Sequence, residues 1–343
     1  MALDTLAQRG TNNKGKNDFT ECHVLHGKGT CKESMKKFPK KKFISQKLAL
    51  ALIEIAKEEG DKEMEKSYRN TFYCFNDIIT DGNRAYGDHC KNRFCINCSA
   101  IRKATLINKY LPIVEKWEKP CFLTLTRVSF KRHELHKGIR ETKKAFQTIF
   151  QRCQKRFRRN KGPKIVCLVS LECNYNPIKK TYNPHFHIIT ATKEIAILLN
   201  TEWLKQLKEN ASYKGQDLQV IKNPLKKLIE VLKYSTKIFT DPDMKKGKKK
   251  TSDPVVYAAA IHEIYKAFKG LKLQNSYGFS LPKIEKETKT QVIPKSDTKE
   301  WNYKSKLRSY VDTETGELMY KEKHLPSAKV EYLMNHQLNT TSN

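Results

Sequence analysis

At 343 residues, with 38% apolar and 30% charged residues, the chain can build one large or two modest domains, with much of it left as surface or appendage. Lys and Arg outnumber Asp and Glu by 67 to 36, a formal charge of +31, which argues against an enzyme of neutral small substrates and points to a polyanion, nucleic acid above all. A membrane surface is disfavoured because no long basic amphipathic helix with an aromatic face is present. Residues 1–16 are polar without an apolar h-region, and no run of about 18 apolar residues occurs, so the expected location is the cytoplasm.

Residues 1–43 are lysine-rich, with Lys36-Lys37 and Lys40-Lys41-Lys42 around Phe38-Pro39, and read as a mobile basic arm. Ser45, followed by Leu48, Leu50, Leu52, Ile53 and Ile55 and closing near Gly60, predicts a capped helix. Of the ten cysteines, Cys90, Cys95 and Cys98 form a C-x4-C-x2-C series, with Cys74 and His89 as candidates for a fourth position. A CxxC within a turn has the bite of tetrahedral Zn²⁺, and in a reducing compartment such a cluster points to metal before disulfides. Two readings stand: a structural Zn²⁺ site or, since a second CxxC is missing, buried free thiols. Beside Arg93, Arg102 and Lys103 the element could help hold duplex DNA or act as scaffold alone. Cys22, Cys31, Cys121, Cys153, Cys167 and Cys173 lack ligand spacing and are expected to be ordinary.

From Cys121 the pattern becomes that of a compact α/β unit. Residues 121–127 read as a strand, and residues 134–159 as a basic helix with Leu135, Ile139, Ala145, Ile149 and Phe150 along one stripe. After the Gly162-Pro163 break, residues 164–172 are strongly strand-like. Asn174, Asn176 and Pro177 mark a turn, and the segment ending at Thr190 returns as the partner strand of a hairpin. A helix over 192–209, a strand over 218–221 and a helix opened by Asn223 as N-cap and Pro224 at N1 follow. Pro254 is expected to start a further helix reaching Lys269. Residues 283–299 resemble a linker, and Tyr310-Val311 and Leu318-Met319-Tyr320 flank a turn at 313–316 in a small tail.

The chemistry centres on two segments. In Pro184-His185-Phe186-His187-Ile188-Ile189, strand alternation sends His185 and His187 to one side and Phe186 to the other, the spacing a single divalent metal needs. Completed by one oxygen ligand, such a site leaves positions for a phosphate and water. An HxH triplet alone is weak evidence. In residues 224–237 the apolar Leu225, Leu228, Ile229 and Leu232 take one side of a helix, while Lys227, Glu230, Tyr234 and Lys237 recur on the other. Lys233 and Lys237 flank Tyr234 and would favour its phenolate. Glu230, one turn earlier, is either a general base or the partner of an exposed ion pair with Lys233 or Lys237.

Together these blocks resemble the rolling-circle replication initiators of small bacterial plasmids, the single-tyrosine branch of the HUH endonucleases. Phe122-Leu123-Thr124-Leu125-Thr126 is similar to the first motif, Asn183-Pro184-His185-Phe186-His187-Ile188-Ile189 to the metal motif, and Glu230-Val231-Leu232-Lys233-Tyr234-Ser235-Thr236-Lys237 to the nucleophile motif. The ordered trio is more specific than any member, and the resemblance spans residues 74–280, including Lys269-Gly270-Leu271-Lys272 near its end. It implies an α+β fold with an HUH-type antiparallel central sheet flanked by helices and an N-terminal cysteine-rich element. The corresponding division is a basic arm (1–43), a helical and cysteine-rich element (44–115), a nuclease domain (116–282), and a polar linker with a small tail (283–343). It further implies that Tyr234 cuts one strand of origin DNA, keeping a 5′-phosphotyrosine and freeing a 3′-hydroxyl primer, and that Glu230 activates water to end the cycle. His185 and His187 would hold Mg²⁺ or Mn²⁺. Glu172, at the end of the strand expected to pair with the His strand, is the choice for third ligand; the other reading is a solvated strand-end carboxylate. Lys233 and Lys237 would contact phosphate, and Thr124 and Thr126 would position the first strand. Plasmid origin DNA, host helicase and polymerase are the implied partners. Relaxases, which usually carry the tyrosine before the histidines, single-tyrosine transposases and a non-catalytic zinc-containing DNA-binding regulator are the alternatives.

Overall fold

The computed structural model describes residues 38–80, 85–232, 258–280 and 298–319. Tyr234, Lys233, Lys237 and most of the expected arm and tail lie outside the described residues. Helix α1 (Phe38–Glu58) is buried over most of its surface, leaving a narrow exposed stripe that includes Lys40, Glu54 and Lys57. It begins ahead of Ser45, inside the stretch expected to be unstructured, because Pro39, Lys42 and Phe43 are all buried in it. Ser45 caps a different helix: its hydroxyl accepts from the Ile96 N–H at 3.0 Å, at the start of α3 (Ile96–Val114). The expected stop does fall at Gly60, whose φ of +68° is a left-handed turn that suits glycine. Asp61 then caps α2 (Lys62–Tyr73), accepting from the Met64 N–H at 3.0 Å.

Among the described residues the strands form two antiparallel sheets, and with the helices they make an α+β fold. The smaller sheet joins β1 (Asp77–Thr80) and β2 (Ala85–Gly87) to β8 (Lys299–Lys304) and β9 (Ser309–Asp312), in the order β2-β1-β8-β9. Residues 299–312 thus pair with the strand next to the cysteines, so this part of the expected tail is integrated into the cysteine-rich region. The anticipated hairpin about 313–316 forms: Val311 bridges Leu318, the Met319 N–H donates to the Tyr310 carbonyl at 2.9 Å and the Asp312 N–H to the Glu317 carbonyl at 2.8 Å. Tyr310 is fully buried there, its hydroxyl donating to the Phe75 carbonyl at 2.6 Å.

The larger sheet contains β3 (Cys121–Thr126), β4 (Cys167–Asn176), β5 (Thr181–Thr190), β6 (Asp217–Val220) and β7 (Gln274–Tyr277), in the order β6-β3-β5-β4-β7. The β4–β5 hairpin is closed by Asn176, whose side chain accepts from the N–H groups of Ile178 and Lys179, both at 3.0 Å. Strand alternation divides the sheet's residues between two cores. Cys121, Leu123, Leu125, Val169, Leu171, Phe186 and Ile188 pack under α4 (Leu135–Arg158), α5 (Lys193–Leu207) and α7 (Ala258–Phe268). On the opposite face Phe122, Leu168 and Ile189 pack under α3 and α6 (Pro224–Val231). These two helices cover one end of that face.

A polar relay that runs from the surface to the buried His262 and Tyr68 ties the N-terminal helices to the larger unit. Glu59 accepts from Lys266 at 2.6 Å, from Arg132 at 3.0 Å and from His262 Nε2 at 3.0 Å, while His262 Nδ1 lies 2.7 Å from the Tyr68 hydroxyl. Burial opposes the Glu59 charge, yet Lys266 and His262 hold its carboxyl below the ordinary range.

Helices α4 and α5 are clamped by Glu202, which is 2% exposed and takes Arg152 and Arg156 at 2.8 Å each. Burial alone would raise the Glu202 carboxyl, but hydrogen bonds from Arg156 and Arg152 carry it below its usual 4.5. A carboxylate with a depressed folded pKa stabilises fully above its unfolded pKa, and the contribution disappears as pH falls through the folded value. Glu202→Gln should therefore cost about 1–3 kcal/mol at neutral pH. Urea unfolding of the two proteins should show that difference constant above the unfolded pKa and shrinking in more acidic buffer; a pH-independent difference would mean that packing alone is lost.

Candidate active site

His185 and His187 occupy the central strand, β5, and face the side of the sheet opposite Phe186, as alternation requires. The antiparallel register sets Thr126 and Glu172 on either side of His185, and Thr124 and Ser170 on either side of His187. Glu172 does not end its strand, since β4 continues to Asn176, and its side chain is only 12% exposed rather than solvated. Its Oε2 lies 3.9 Å from His185 Nε2 and 3.6 Å from His187 Nε2. Glu172, His185 and His187 each offer a ligand atom within 4.8 Å of the others. A divalent ion with bonds of about 2.1 Å can bridge such separations, and two imidazoles with one carboxylate are a donor set that first-row ions accept.

The second ring nitrogen of each histidine is engaged elsewhere, which fixes how the rings are turned. His185 Nδ1 is 3.0 Å from the Asn183 carbonyl, a partner that can only accept, so Nδ1 carries a proton and Nε2 is the nitrogen turned toward Glu172. His187 Nδ1 is 3.2 Å from the Thr124 hydroxyl, and its ring stacks on Phe122 with centroids 5.3 Å apart. Thr124, expected only to place its strand, also orients a histidine. Thr126 serves the end of β3: its N–H donates to Gln216 at 2.7 Å, and its hydroxyl donates to the Gly215 carbonyl at 2.8 Å.

Helix α6 approaches this face as its sequence pattern predicts. Asn223 caps it by accepting from the Lys226 N–H at 2.9 Å, Pro224 opens it, and Leu228, Val231 and Leu232 are buried against Phe122 and Ile189. Glu230 lies in its last turn and pairs with Lys227 at 3.0 Å, a partner not among the two lysines anticipated for it. Lys227 in turn sits 4.3 Å above the Phe122 ring and donates to Gln219 at 3.0 Å. A chain of contacts therefore runs Glu230, Lys227, Phe122, His187. Its middle links were not legible in sequence, because a cation over a ring leaves no spacing signature. Tyr234 follows the described end of this helix.

The cysteines form a second ligand group. Cys74, Cys90, Cys95 and Cys98 converge from the end of α2, the loop after β2 and the first turn of α3. Their sulfurs are separated by 3.5 Å (Cys74 and Cys98), 3.6 Å (Cys90 and Cys98) and 3.7 Å (Cys74 and Cys95). Four thiolates bound tetrahedrally at about 2.3 Å would stand roughly 3.8 Å apart, so the group is compatible with a metal without rearrangement. His89, the other candidate for the fourth position, stacks on Phe75 and is not part of the group. Hydrogen bonding to Cys74 pulls the Cys90 thiol down, and the reciprocal contact pushes Cys74 up, so the sulfurs do not ionise independently. Lys42, fully buried, donates to the Phe72 and Cys74 carbonyls at 2.6 Å each; burial lowers its ammonium to about 8 against the opposing pull of Cys74, Cys95 and Cys90. Cys121, Cys153, Cys167 and Cys173 are buried in the sheet core.

The fold and these two groups define an α+β protein built on an antiparallel sheet, with a His/His/Glu constellation at its centre and a four-thiol cluster beside it. The chain belongs to the Rep protein family. It is 31% identical over 188 residues to Protein rep of Staphylococcus aureus, a match covering 49% of this chain and 79% of that protein. It is 25% identical over 244 residues to Protein rep of Bacillus amyloliquefaciens, covering 58% of this chain and 69% of the relative. No protein-family profile and no solved structure matches the chain. Among the described residues no helix is long and apolar enough to cross a membrane.

Proposed function

We propose that this protein initiates rolling-circle replication of a plasmid by nicking one strand of its origin DNA, as a single-tyrosine HUH endonuclease. The observation that carries the reading is the convergence of Glu172, His185 and His187 on a sheet face covered at one end by the helix bearing Glu230. Membership of the Rep family and the formal charge of +31 support the same reading.

In this scheme Glu172, His185 and His187 hold Mg²⁺ or Mn²⁺, which when bound supplies positive charge to the non-bridging oxygens of the scissile phosphate. The Tyr234 phenolate oxygen attacks phosphorus, the bond to the 3′ oxygen breaks, and that oxygen takes up a proton to become the primer hydroxyl. One phosphoester replaces another, so no nucleotide cofactor is consumed. Lys233 and Lys237 contact phosphate and favour the phenolate. Glu230, oriented by Lys227, accepts a proton from the water or hydroxyl that later releases the strand. The four thiols hold a structural Zn²⁺, and host helicase and polymerase extend the primer.

The test is to incubate the protein with its supercoiled plasmid and Mn²⁺, denature, and map the covalent adduct by peptide mass spectrometry. A 5′-phosphate on Tyr234 is expected. Sequence-specific origin binding with no adduct would overturn the reading in favour of a non-catalytic regulator.

A further inference from the structure

A cleft of about 620 Å³ opens between the cysteine-rich element and the β4–β7 edge of the large sheet. One wall is basic: Lys91 and Arg93 come from the loop that carries Cys90 and Cys95, and Arg102 and Lys109 from α3, whose first turn holds Cys98. Lys272 stands at the opposite wall. The floor includes Ser170 and Gln274, which are direct cross-strand neighbours, and Ser170 is also the cross-strand neighbour of His187. The cleft therefore runs onto the sheet row that carries the metal-type site.

Arg93 donates to the Leu271 carbonyl at 2.8 Å, tying the cysteine loop to the segment that enters β7. Both walls are thus held in register with the sheet. A concave groove lined by Lys91, Arg93, Arg102, Lys109 and Lys272 suits a flexible strand that can present its phosphates to them. Its volume is that of a small-molecule site, too narrow for a duplex to enter.

We infer that this cleft binds the phosphate backbone of single-stranded DNA and leads the strand to the Glu172/His185/His187 site, with the thiol cluster holding one of its walls in place. The inference rests on the nicking function proposed above and adds the route of the substrate and a role for the cysteine-rich element in binding it.

The experiment is salt-dependent binding of a fluorescent single-stranded origin oligonucleotide to the full chain and to a Lys91→Gln/Lys109→Gln/Lys272→Gln variant. Each lost phosphate contact removes about 0.7 from the slope of log K against log salt, so the slope should fall by about 2. Acetylation footprinting of the wild type provides a reading that does not depend on the variant's folding: the oligonucleotide should protect these three lysines. An unchanged slope without protection overturns the inference, as does a change seen with duplex but not with single-stranded DNA. The adduct assay on wild-type protein separates the two proposals. An adduct on Tyr234 together with an unchanged slope sinks only the cleft, whereas absence of the adduct sinks the nicking reading itself.

Discussion

Replacing His185 or His187 with alanine should reduce Mn²⁺-dependent nicking by roughly a thousand-fold, the effect of losing several kcal/mol of charge stabilisation at 1.36 kcal/mol per tenfold. Each imidazole is aimed by a second contact, His185 by the Asn183 carbonyl and His187 by the Thr124 hydroxyl, so neither lone pair has another orientation readily available. Calorimetric titration with Mn²⁺ should show the same loss in affinity. Thr124→Val is the graded control: it removes the orienting bond but leaves the ligand, and should weaken metal binding by about 10–100-fold. Tyr234→Phe should do the converse, retaining Mn²⁺ affinity while abolishing the adduct. If both alanine variants bound Mn²⁺ as wild type does, the ion would be held elsewhere and the assignment of this site would fail.

Removing the proposed Zn²⁺ from the cysteine cluster should unfold the region around α1, α2, α3 and the small sheet. Structural Zn²⁺ sites contribute apparent free energies of about 10–16 kcal/mol, comparable with or greater than the 5–15 kcal/mol that stabilises a typical domain. The cluster joins three segments, and the core beside it includes Phe75, Phe94, Cys95, Cys98 and Tyr310, so loss of the ion would release much of that packing. A strong chelator or Cys98→Ser should therefore lower helical circular dichroism and the melting temperature, with one zinc released per chain in a colorimetric assay. A chelator-insensitive melt with no zinc released would instead favour buried free thiols. The small sheet should melt together with the cluster, because β1 and β2 lie in the chain between Cys74 and Cys90.

Much of the large sheet was legible because its signals are local. Alternation in residues 184–189, the Asn-rich turn before them and the Asn223-Pro224 helix start each depend on a few neighbouring residues, and β5, the hairpin and α6 form where those patterns place them. Other features depended on partners distant in sequence. Ser45 looked like the cap of its own helix but serves α3, because α1 starts earlier, with Pro39, Lys42 and Phe43 already buried. Glu172 looked like the last residue of its strand, yet pairing with β5 carries β4 on to Asn176. Cys74 was one of two candidates for a fourth ligand, and only the packing of α2 against the loop after β2 brought its sulfur beside the others.

Chain order and residue chemistry by themselves determined that two imidazoles share one side of a strand, that three cysteines sit at metal spacing, and that Glu230 and Tyr234 follow the histidines four residues apart in a strongly basic chain. These are properties of repeat distance and side-chain type. Tertiary structure decided the rest: that Glu172 faces both histidines, that Lys227 pairs with Glu230, and that residues 299–312 complete the sheet beside the cysteines. Strand register and helix docking are selected by the burial of apolar surface across the whole chain, so contacts between distant segments follow from a global minimum that no short stretch encodes.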